Sequence, residues 1–107
     1  MTAVDERWVT PQATPPVEVV ITEELDLAAV PRLRALFEDA LRMRPERLVV
    51  DLDSCAFVDA TALGLLLEVH RQVRRQGGSL VLRHVRPRVA RLIALTRLHG
   101  VFTLEPA

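Results

Sequence analysis

The chain has 107 residues, half of them hydrophobic, and its fourteen basic and fourteen acidic side chains cancel to a formal net charge of zero. That length closes a single core with no room for a second, and the balanced charge gives no support to nucleic-acid binding. There is no apolar run near the roughly twenty residues of a membrane span and no charged-then-apolar leader, so a cytoplasmic protein without membrane insertion is expected.

In chain order, residues 1–16 carry "RWVT", a candidate edge strand, followed by the proline-rich loop "PQATPP". The β-branched "VEVVIT", Val17 to Thr22, reads as a strand running into the acidic turn "EELD". Helix one follows, with Ala29, Leu33, Leu36 and Ala40 on its apolar stripe and Val30, Phe37 and Leu41 beside it. Pro31 lacks an N–H and suits only the first turn, which starts the helix near Ala29 and leaves Asp26 just outside it. "RLVVDLD" is a continuous apolar run too short for a helix, the pattern of a central strand covered on both faces. Helix two carries Ala62, Leu66, Val69 and Val73 on one stripe and stops at Gly77-Gly78. "SLVLRHV" is a further strand. Pro87 opens helix three, with Val89, Leu92, Ile93 and Leu95 as its apolar side, and "GVFTL" is a last short strand.

The order ββαβαβα(β) implies right-handed βαβ crossovers: an α/β fold, one domain, with a mixed, mostly parallel sheet of four to five strands and helices packed against it. Residues 1–16 form the edge strand and loop, and 17–107 the domain proper. Sites in such sheets lie beyond the carboxyl ends of the strands. Asp26 and Asp59 each follow a strand and precede a helix, so both fall on that rim, and Thr61 joins them. Each is also a natural helix-capping residue, and capping alone accounts for a lone Asp. A phosphate on Thr61 would place about 1.5 to 2 negative charges beside the two carboxylates, enough to alter a partner surface built there.

These residues carry a resemblance. "EELDLAAVPRLRALFEDAL", "RLVVDLDSCAFVDATALGLLLEVHRQVRRQGGSLVL" and "RPRVARLIALTRL" resemble the STAS domain of bacterial anti-sigma-factor antagonists, over most of the chain from Val17 to Leu104. The resemblance implies a small α/β protein without enzymatic activity that binds an anti-sigma factor, often a serine kinase, and so releases a sigma factor. Phosphorylation at the start of helix two would break that partnership. Carried onto this sequence, it places the partner-binding surface at Asp26, Asp59, Ala60, Thr61, Ala62 and Gly64. The usual phosphoacceptor serine is Ala60 here, which leaves Thr61 as the phosphoacceptor candidate, or else a plain helix-start residue in an unregulated antagonist. Family glycines are also replaced by Glu23, Ala62 and Arg97. A second reading is a regulatory STAS subunit of an ABC-type membrane transport assembly.

The remaining candidates carry less. Cys55 has no disulfide partner and reads as a buried structural thiol. His70, His84 and His99 have no ligand spacing, so neither metal nor cofactor is expected. Asp51 and Asp53 resemble the acidic pocket of a response-regulator receiver, which needs a lysine, and the chain has none. No nucleophile, base and oxyanion arrangement can be assembled. Residues 1–59 hold twelve acids and six arginines, and 60–107 two acids and eight arginines. The asymmetry suits either a docking surface of two signs or, as the plainer reading, halves that interleave and cancel. "RHVRPRVAR" is a solvated face or a secondary contact. Oligomeric state stays open, including a homodimer through exposed apolar surface.

Overall fold

The computed structural model describes residues 15–98 and 100–106. Strand β1 (Val17–Val20) leads through a short 3-10 turn (Leu27–Ala29) into helix α1 (Val30–Arg42). Then come β2 (Arg47–Asp51), α2 (Ala60–Arg75), β3 (Ser79–Val85), α3 (Pro87–Leu95) and β4 (Thr103–Pro106). The strands lie in chain order, and every neighbouring pair is parallel. Right-handed crossovers that always advance in one direction put all three helices on the same face of the sheet. The expected strand within residues 1–16 falls outside the described residues, and the described sheet has four strands with no antiparallel pair.

Strand periodicity sorts the two faces. Val19, Leu48, Val50, Leu80 and Leu82 point into one core with Leu33 and Phe37 of α1, Leu66 and Val69 of α2, and Val89 and Ile93 of α3. On the other face lie buried Val49 and Val81 and a chain of ion pairs from Glu18 to Arg83 to Glu105 to Arg47. There the acidic and basic halves of the sequence do interleave, as they do where Arg34 of α1 meets Glu68 of α2.

Helix α2 ends where its glycines require. Gly77 takes φ +88°, Gly78 N–H donates to Val73 O and Gly77 N–H to Arg74 O, the paired bonds of a Schellman turn. A Cβ on Gly78 would lie 2.3 Å from the Pro45 carbonyl, so the chain crosses there only without a side chain. Arg97 adopts the left-handed φ of 63°, a conformation that carries a steric cost for a residue with a side chain.

Three expectations are corrected. Leu36 is 42% exposed, because the buried stripe of α1 runs by fours from Ala29 through Leu33 to Phe37 and leaves Leu36 on its flank. Leu95 is 79% exposed: Val89 and Ile93, four apart, define the buried line, and a residue two further on faces away. The last strand starts at Thr103, since Gly100 to Phe102 form a turn in which Val101 and Phe102 N–H groups donate to Leu98 O. Phe102 enters the core and meets His70 edge-on at 5.8 Å between centroids. Burial, with Arg74 and Arg71 adding, pushes the His70 pKa down.

Candidate functional site

Parallel pairing brings the ends of β1 and β2 to one side, and the loops that follow are joined. Leu25 and Val58 form an isolated parallel bridge, in which Leu25 N–H donates to Phe57 O and Asp59 N–H to Leu25 O. Asp59 is the N-cap of α2, with extended backbone, and its two oxygens serve two elements: Oδ1 accepts from Ala62 N–H and Oδ2 from Leu27 N–H, both at 2.9 Å. Asp26 caps the 3-10 turn by accepting from Ala29 N–H at 3.0 Å. Glu24 reaches the other way, and its Oε1 accepts from Ala56 N–H at 2.8 Å and Phe57 N–H at 3.2 Å. Each carboxylate therefore answers amides left open by a turn or a helix start.

Further supports surround this clasp. Cys55 is buried, burial pushes its thiol pKa up, and its Sγ donates to Phe57 O at 3.1 Å, as befits a structural thiol. Asp51 Oδ1 accepts from Asp53 N–H at 2.9 Å and lies 3.1 Å from His84 Nδ1. The Asp53 amide, and after it the imidazole, hold the Asp51 carboxyl below its ordinary range. Arg86 Nε donates to Asp53 O at 2.7 Å, and Arg32 pairs with Glu23, whose pKa it lowers.

The structure sorts the sequence candidates. Asp26 and Asp59 share the rim, as expected, and both act as caps. Ala60, Thr61 and Gly64 are exposed along the first turns of α2. Ala62 does not belong on a partner surface: it is 0% exposed, because it begins the buried stripe of α2, and only its amide takes part in the rim. Sequence reasoning missed the apolar residues. Leu27 is 65% and Phe57 37% exposed, held beside Asp59 and Leu25 by the clasp, so the rim joins apolar contact area to carboxylates. Glu24 was also missed. Its only signal was an acid between strand and helix, and its partners lie more than thirty residues away.

Among the described residues there is no group of three His, Cys, Asp or Glu side chains able to hold a metal ion, and no helix long and apolar enough to cross a membrane. A firm, exposed, partly apolar rim of this kind is suited to holding another protein.

Known proteins place the chain. It is 29% identical to the anti-sigma-B factor antagonist of Bacillus subtilis strain 168, over 83% of this chain and 81% of that one. Its fold matches the crystal structure of an anti-sigma factor antagonist from Mycobacterium paratuberculosis with a TM-score of 0.74 at 26% identity, covering 84% of this chain and 76% of the other. A sulfate transporter family protein from Wolinella succinogenes shares the fold at the same TM-score of 0.74 but 16% identity, over 85% of this chain and 77% of that one. The sequence profile described as "Mlab, STAS domain" matches residues 9–105, and the chain belongs to the STAS domain family.

Proposed function

We propose that this protein is an anti-sigma factor antagonist that docks its anti-sigma factor through the clasped rim. The observation that supports this most is the pairing of exposed Leu27 and Phe57 with Asp26 and the start of α2, on a loop that Asp59 and Glu24 hold in place before any partner arrives. A surface already in its bound shape avoids ordering costs on association. The relatives of highest similarity named above are antagonists, whereas the transport protein is similar at an identity that speaks for fold alone. The antagonist reading is therefore the one we adopt.

The test is calorimetric titration with the anti-sigma factors encoded in the same genome. One should bind, and Leu27→Ala plus Phe57→Ala should weaken it at least about tenfold, the effect of losing buried anchors. Absence of binding to all of them would overturn the function, and unchanged affinity of the double variant would overturn the site.

For regulation, we propose Thr61 as the phosphoacceptor if the partner is a kinase. Thr61 is exposed at the second position of α2, next to Ala60, which has no hydroxyl. A phosphate there would meet the helix dipole favourably but add charge beside Asp59 and Asp26, so its effect is on the partner rather than on the helix. Incubation with that kinase and ATP, followed by mass spectrometry, should place the label on Thr61. A label on Ser54 or Ser79 would remove Thr61 from the mechanism.

A further inference from the structure

The basic half of the chain is not wholly matched by the acidic half. Arg83 takes Glu18 and Glu105, but Arg88 and Arg91 of α3 form no ion pair among the described residues. Their place is unfavourable for the helix itself. Arg88 stands in the first turn, where open N–H groups already carry partial positive charge; no acid accompanies it, and a second guanidinium follows three residues on. Beside them lies apolar surface that the core leaves uncovered. Leu95, Ala94 and the partly buried Leu92 line, with Arg88 and Arg91, an open depression of about 500 Å³.

An apolar floor beside two cations fits an apolar group that carries carboxylates. The chain displays apolar and acidic groups together at its own rim, where exposed Leu27 follows Asp26 and exposed Phe57 lies in the same loop as exposed Asp53. Arg86 and Arg32 soften that rim's charge without reversing it, since Glu23, Glu24 and Asp59 belong to it too. A net charge of zero leaves no overall repulsion between copies.

We propose that the α3 depression of one molecule receives the rim of a second copy, with Leu27 and Phe57 on its apolar floor and Arg88 and Arg91 facing Asp26 and Asp53. The contact joins two different surfaces, so each pair leaves one rim and one depression free, and association continues with concentration unless the rotation closes a ring. A lipid surface is the less fitting occupant, because a nine-residue helix with one strongly exposed leucine has little apolar area to insert. Self-association would cover the rim and so compete with a protein partner. That consequence rests on the docking reading above, and the self-association itself does not.

Sedimentation velocity of the purified protein alone, over rising concentration at low and high salt, tests this. The sedimentation coefficient should climb with concentration, and salt should suppress the climb. Arg88→Glu plus Arg91→Glu keeps the rim and disables the depression, whereas Leu27→Ala plus Phe57→Ala does the reverse. Each variant alone should sediment as a monomer, and their mixture should form a heterodimer that grows no further. A wild-type protein that stays monomeric throughout overturns the proposal. So does a symmetric dimer that either variant retains, or binding to anionic phospholipid vesicles without self-association. Circular dichroism spectra matching the parent's establish that the variants are folded, and the wild-type series decides the matter without them.

Discussion

The rim and the outer face of α3 handle charge in opposite ways. At the rim, Asp59, Asp26 and Glu24 each accept from backbone amides, so the acids hold the fold as well as colour its surface. On α3 the guanidiniums of Arg88 and Arg91 form no ion pair among the described residues. A carboxylate beside a helix start completes open N–H groups, whereas an arginine in that place opposes the dipole. Charge is thus structural in one region and available for contact in the other.

The largest expected break in this contrast is Asp59→Ala. It removes the acceptor for Ala62 N–H and for Leu27 N–H together, a helix cap and a tertiary bond, and should cost about 2–3 kcal/mol in urea unfolding. Glu24→Ala frees the Ala56 and Phe57 amides, which are exposed enough to be answered by water, so about 1 kcal/mol is expected from the same measurement. Arg97→Gly, at the end of α3, relieves a left-handed backbone and should raise stability by about 0.5–1 kcal/mol. Smallest is Arg88→Ala plus Arg91→Ala, expected within about 0.5 kcal/mol of the parent under dilute conditions. A loss from the arginine pair as large as that from Asp59 would erase the contrast.

How much of this was legible beforehand depended on the reach of the interactions. The strand from Ser79 to Val85 and the helix stop at Gly77-Gly78 were readable because a short apolar run and a glycine pair act locally. Asp26 and Asp59 were readable as neighbours because the βαβ order fixes which strand ends lie together. The clasp was not, since Glu24 meets Ala56 and Phe57 only after the sheet has set the register of Leu25 against Val58. Leu95 was misplaced for a related reason: apolar identity put it with the core, and only the line through Val89 and Ile93 fixes which way the helix turns. Ala62 erred in the other direction, since it lies in the first turn of α2 but on its buried side.

The central claim is that the clasped rim is the surface that meets the anti-sigma factor. The most direct measurement is an NMR titration of the labelled protein with that partner, following backbone amides. The largest perturbations are expected at Glu24 to Leu27 and from Phe57 to Gly64. Perturbations confined to the sheet face that carries Glu18, Arg83 and Glu105, with the rim amides unmoved, would contradict it.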